Sequence, residues 1–190
     1  MMIPVIVMAI VFLGDTIQAV TGSDYDVRDT IDLAVRAANY QVERRSQAAG
    51  DARVLVDQAH SAFRSSIAYT LRLDPNALAP LSNSPLKSAP QYILVVYNGD
   101  NAYSAQGAPA GRIYRFNGVS VTTTNLSALG FPSTFAVYAD DIIQGGFGGV
   151  ARVTLQRPGC VVWMKAESRK AAGKESVIST RWTASQIHYW

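Results

Sequence analysis

The first twenty residues constrain this chain more than any other feature. Met1 to Val20 holds 15 apolar residues, and the run from Val5 to Leu13 has no polar interruption. Twenty helical residues span about 30 Å, which matches the hydrocarbon thickness of a bilayer. Pro4 suits a first helical turn, where its missing N–H costs nothing. Three fates compete for such a segment. A cleaved signal peptide calls for a basic start and a small-residue cleavage site, whereas the chain opens Met1-Met2-Ile3-Pro4. A core helix of a soluble domain is the second, and a retained membrane helix with its N-terminus inside is the expectation taken forward. Asp15 is the one acid in the segment. A carboxylate there costs a few kcal/mol in lipid unless it lies near the headgroups or meets a partner.

The helical rhythm continues beyond Val20. Val27, Ile31, Ala34, Val35, Ala38 and Val42 recur at three- and four-residue steps, with charged residues between them. This predicts one amphipathic stripe. A helix running unbroken from Val5 to Ala48 would be about 66 Å long. A small head could not cover that length, so lipid or neighbouring subunits would have to. Gly50-Asp51 then ends the element. Asp57 reads as an N-cap for a second amphipathic helix over 57–73, preceded by a short extended piece at Arg53–Val56.

From Asp74 to Pro90 the chain is rich in proline, serine and asparagine and reads as a loop or linker. Strands follow. Gln91–Tyr97 is a continuous β-branched and aromatic run fit for a central strand. Arg112–Phe116 and Val119–Thr124 flank Asn117-Gly118, a two-residue hairpin signal. Thr134–Tyr138, Val150–Gln156, Val161–Glu167 and Ser176–Trp182 complete the set. Helices first and strands afterwards predict an α+β fold. It has a long N-terminal hydrophobic helix (residues 1–48) and a C-terminal globular domain (49–190). In that domain the second helix packs on an antiparallel β-sheet spanning 91–190.

Charged residues make up 16% of the chain and its net charge is +3. That charge content is low beside the ~25% of ordinary domains, which leaves apolar surface for a membrane or for neighbours. The basic residues are scattered, which argues against a nucleic-acid partner. Two histidines, His60 and His188, and one cysteine, Cys160, give no metal-ligand cluster. Nucleophile-elbow and phosphate-loop motifs are missing. Cys160, beside Val161 and Trp163, reads as a small core residue. The Asp140-Asp141 and Asp24/Asp26 acids read as solvated charges, and His60 as a surface or capped residue. A non-enzymatic protein without metal or cofactor is therefore expected. Asn125-Leu126-Ser127 is a possible N-glycosylation triplet.

The apolar start IPVIVMAIVFLGD, the stripe VRDTIDLAVRAANYQV and the β-rich end STRWTASQI together resemble a type IV-type pilin or a TadE-like pseudopilin of the tight-adherence family. The resemblance implies a structural subunit of a pilus-like surface filament. Its N-terminal helices would pack in the filament core and its β-rich domains would be displayed outside. Its partners would be other copies of itself, the inner membrane before assembly, and the pilus assembly machinery. Asp15 then takes the place of the family's early acid, which meets a neighbour's terminal amine. Ile6, Ile10, Leu13, Ile17, Val27, Ile31 and Val35 become the intersubunit packing residues. A single-copy, membrane-anchored binding or envelope-assembly protein is the alternative.

Overall fold

The computed structural model describes residues 27–104, 108–138, 150–169 and 176–187. Three helices come first among these residues: α1 (residues 27–39), α2 (Arg44–Ala48) and α3 (Val56–Leu71). Seven strands follow: β1 (Gln91–Tyr97), β2 (Gly111–Phe116), β3 (Val121–Leu126), β4 (Ser133–Tyr138), β5 (Val150–Leu155), β6 (Gly159–Arg169) and β7 (Ser176–Gln186). Five of them form an antiparallel sheet in the order β3-β2-β1-β6-β7, while β4 and β5 form a separate two-stranded ribbon.

The expected long helix is corrected here. It does not run to Ala48, and among the described residues no helix is long and apolar enough to cross a membrane. After residue 39 the chain turns out of the helix. Glu43 N–H donates to Arg53 O at 2.8 Å, and Leu55 N–H donates to Gln41 O at 2.7 Å. Val42 thus pairs with Val54 as an antiparallel bridge instead of adding a fourth turn to the stripe. The Glu43 carboxylate then caps the new helix α2 by accepting from Ser46 N–H at 2.5 Å. A β-branched valine prefers this extended pairing, and an acid that can cap offers the backbone a way to restart. Gly50, at φ +74°, closes the short helix in a conformation that L side chains rarely adopt.

The amphipathic stripe is also accounted for differently. Val27, Ile31, Ala34, Val35 and Ala38 are at most 1% exposed, in one core with α3 and one face of the sheet. The head therefore covers this part of the predicted rod by itself. Residues of α1, which lie before the boundary expected at residue 48, share that core with α3 and the sheet.

Strand β1 organises the rest. As a continuous apolar run it is buried on both faces, as a central strand should be. Tyr92, Leu94 and Val96 point to the helices, together with Phe63 and Ile67 of α3. Ile93, Val95 and Tyr97 point the other way, into a second core with Val161, Trp163 and Leu155, against which Phe135 and Val153 of the ribbon pack. Cys160 is fully buried in the first core, and burial pushes its thiol up, away from the reactive thiolate. The expected two-residue hairpin is longer than predicted: Phe116 pairs with Val121, leaving residues 117–120 as the turn. Asn117 Oδ1 accepts from Val119 and Ser120 N–H, both at 2.9 Å, and this side-chain cap replaces the tighter turn.

Candidate functional site

Where α3 meets β1 and β2, a cluster of polar side chains lies along the border of the apolar core. Asp57, His60 and Arg64 are spaced i, i+3 and i+7 on α3, so they form one line on the helix. Tyr92 of β1 and Tyr114 of β2 face them. The sheet register sets Leu94 beside Tyr114 and Tyr92 beside Phe116, which places both rings on the helix side.

The hydrogen bonds form two groups, one around Tyr92 and one around Asp57, joined by a ring stack. The His60 ring stacks on Tyr114 with centroids 3.9 Å apart and planes 9° from parallel. His60 Nε2 lies 2.9 Å from the Tyr92 hydroxyl, and Arg64 Nη1 donates to that same oxygen at 3.2 Å. Burial, followed by the positive charge of Arg64, pushes His60 down to about 4, although Asp57 pulls the other way. The imidazole is therefore neutral at ordinary pH. With Arg64 donating to the same oxygen, Tyr92 can donate its one proton to Nε2, and the imidazole proton then sits on Nδ1. Burial first, then the hydrogen bond to Asp57, holds Tyr114 protonated well above the usual phenol range, and its hydroxyl donates to Asp57 Oδ1 at 2.7 Å. Arg112 also donates to Asp57 Oδ1, and its Nε donates to Asn125 Oδ1 at 3.0 Å.

Asp57 was expected as the helix N-cap. That position belongs to Leu55, which makes no side-chain capping bond. Asp57 lies two residues later, in the first turn, where the helix dipole favours a carboxylate and where it reaches β2. Beside it opens a cleft of about 290 Å³, lined among others by Glu43, Arg53, Asp57, Tyr103 and Arg112. Arg53 has a side chain only 10% exposed and makes two bidentate pairs. Its Nη1 and Nη2 donate to Asp51 at 2.6 and 2.9 Å; Nε and Nη2 donate to Asp100 at 3.0 and 2.6 Å. The Arg53 hydrogen bond holds the Asp100 carboxyl below its usual range. Nearby, Asn98 Nδ2 donates to Val54 O and its Oδ1 accepts from Val54 N–H, both at 2.8 Å. The amide thus imitates a neighbouring strand.

Chemically, these groups satisfy one another: the Tyr114, Arg64, Arg112 and Arg53 donors named above meet acceptors inside the cluster. The arrangement ties the helical layer to the sheet at two points, the His60 network and the Arg53 clamp. Among the described residues, no group of three or more His, Cys, Asp or Glu side chains converges as metal ligands would.

The residues singled out from sequence are placed as follows. Ile6, Ile10, Leu13, Asp15 and Ile17 lie outside the described residues, as do Asp24, Asp26, Asp140, Asp141 and His188. Val27, Ile31 and Val35, expected between subunits, are covered by the chain's own core. Asn125 is exposed on β3. His60, expected as a surface or capped residue, is half-buried in the network. Sequence reasoning missed Tyr92, Tyr114 and Arg112. The available signal was the polar line Asp57-His60-Arg64 running beside the apolar line Ala59-Phe63-Ile67, which marks a helix edge in need of polar partners.

No protein-family model, curated protein or solved structure matches this chain.

Proposed function

We propose that this chain is a structural, non-enzymatic subunit of a surface assembly, joining copies of itself into a pilus-like filament with the β-rich head displayed outside. The observation that carries the reading is the seat of α1. Its apolar stripe is spent entirely on the head, and the first described residue of that stripe, Val27, is 1% exposed. In sequence, the apolar stretch Met1–Val20 ends only seven residues before this docked helix. Whatever holds that stretch therefore holds the head within a short reach rather than on a long tether. A displayed head gains from a short connection, since a loose tether of n residues scatters its load over about 5–6 Å × √n. The clamp at Arg53 and the Asn98 bridge support the same reading, because they fasten the helical layer to the central strand.

The test is negative-stain microscopy of material sheared from cells that make the full-length chain. The reading expects long polymers containing this chain. Recovery of nothing but single heads, released only by detergent, would overturn it in favour of a single-copy anchored protein.

A further inference from the structure

We propose that the outer edge of β3 is a self-association surface, on which β3 of a second copy adds antiparallel across a two-fold axis to join two five-stranded sheets into one. The inference does not rest on the filament reading, because the contact is between heads and serves an anchored single chain equally well.

Strand β3 ends the sheet and pairs with β2 alone among the described residues. Its pairing is continuous from Gly111–Leu126 to Phe116–Val121, with no bulge to twist the edge away. Val121 to Asn125 are all exposed, and only Leu126 is half-buried. Soluble proteins protect such edges with lysine, proline, bulges or an inward charge. The segment VTTTNL has no charge and no proline.

A second copy fits this edge because the edge complements itself. A two-fold contact requires every residue to tolerate its own symmetry mate or a near neighbour. An axis through Thr123 sets Thr123 opposite itself, Thr122 opposite Thr124, and Val121 opposite Asn125. Threonine pairs are favourable across antiparallel strands, and no like charges meet. The nearest cation on the opposite sheet face is Arg115 of β2, which donates to Thr124 Oγ1 at 3.1 Å. In the pair, each Arg115 guanidinium stays on its own Thr124, so the two charges sit on neighbouring strands two residues out of step, about 8 Å apart and near one screening length at physiological salt. A foreign extended peptide would gain the same backbone bonds. Its selection, however, relies on side-chain pockets spaced along the edge, and a cavity of about 200 Å³ meets β3 at Leu126, beyond the threonine row.

The experiment places single cysteines at Thr122→Cys, Thr123→Cys and Thr124→Cys in the full-length detergent-solubilised chain, with Tyr69→Cys, 88% exposed on α3, as control. The native Cys160 is fully buried and does not compete. Under mild oxidation, the threonine position nearest the axis is expected to form disulfide dimers at least about tenfold faster than the control, because pairing raises the local thiol concentration. Adding Thr123→Pro to the Thr122→Cys or Thr124→Cys chain is expected to abolish that advantage, since proline is tolerated at an edge but removes a donor. If all three positions cross-link no faster than Tyr69→Cys, the edge does not pair with a copy and the proposal is overturned. Filaments seen under the microscope without this cross-link would leave the filament reading standing and remove only this contact.

Discussion

Replacing His60 with glutamine separates its protonation from every other acid-sensitive group in the protein. The folded chain holds His60 at about 4 rather than the ordinary 6.5. Between these two pH values, the unfolded chain binds a proton at this residue that the folded chain refuses. Stability contributed by His60 is therefore complete above about pH 7 and is lost progressively as pH falls from 6.5 to 4. The difference corresponds to about a 300-fold change in proton affinity, or ~3 kcal/mol at 1.36 kcal/mol per pH unit. The groups facing the ring are Asp57 and Arg64 of its own helix and Tyr92 and Tyr114 of the sheet. Neither tyrosine ionises in this range. Glutamine keeps an oxygen able to accept the Tyr92 proton but cannot titrate. Urea unfolding followed by tryptophan fluorescence, at pH 7, 5.5 and 4 in both proteins, makes the comparison. The variant is expected to start lower, having lost the stack on Tyr114, and the gap should close by ~3 kcal/mol on going to pH 4. Parallel stability curves from pH 7 to 4 would falsify the reasoning, for they would mean that His60 titrates alike in the folded and unfolded chains.

Three further outcomes are expected. Asn39 is 8% exposed, and among the described residues neither its side-chain oxygen nor its nitrogen has a partner. Asn39→Leu should therefore raise stability by about 1–2 kcal/mol in calorimetry, since no hydrogen bond is lost and a desolvation cost is removed. Gly99 sits at φ +78° with the Phe131 ring where a Cβ would go. Gly99→Ala should lower stability by at least ~1–2 kcal/mol, from the left-handed backbone alone, as measured by urea midpoint. Glu167 accepts from Ser176 Oγ at 2.5 Å and from Lys87 and Ser88 at 3.0 Å, with the Ser176 bond the strongest of the influences that hold it down to about 2. Its contribution is present above its ordinary pKa and lost as pH falls toward 2. Glu167→Gln should therefore lower the melting temperature at pH 7 and leave it unchanged at pH 2.

Much of the sheet was legible in the sequence because strand signals are local. QYILVVY marks a strand buried on both sides whatever its neighbours do, and its observed limits match the run. The turn at Asn117-Gly118 was placed correctly, but its length was not, because Asn117 can cap a longer turn with its own side chain. The stripe from Val27 to Ala38 was read correctly as amphipathic, but periodicity shows only that one face must be covered and is silent on what covers it. Val42 fitted the helical period equally well as a strand residue. Only the bridge to Val54, twelve residues away, decides between them. The candidate site was the least legible part. Asp57 and His60 stood out as individual residues, but Tyr92 and Tyr114 join them through strand register, a non-local quantity that a single sequence does not print.

The double hydrogen bond between the Asn98 amide and Val54 has a mechanical consequence. Tension entering the described chain at residue 27 travels along α1, crosses the Val42–Val54 bridge, and reaches the end of β1 through Asn98 and the Arg53–Asp100 pair. The strand that receives this load is bonded along its length on both sides, to β2 and to β6. The pull is therefore delivered to the best-braced member of the sheet, and the outermost strands β3 and β7 stand outside the line of force.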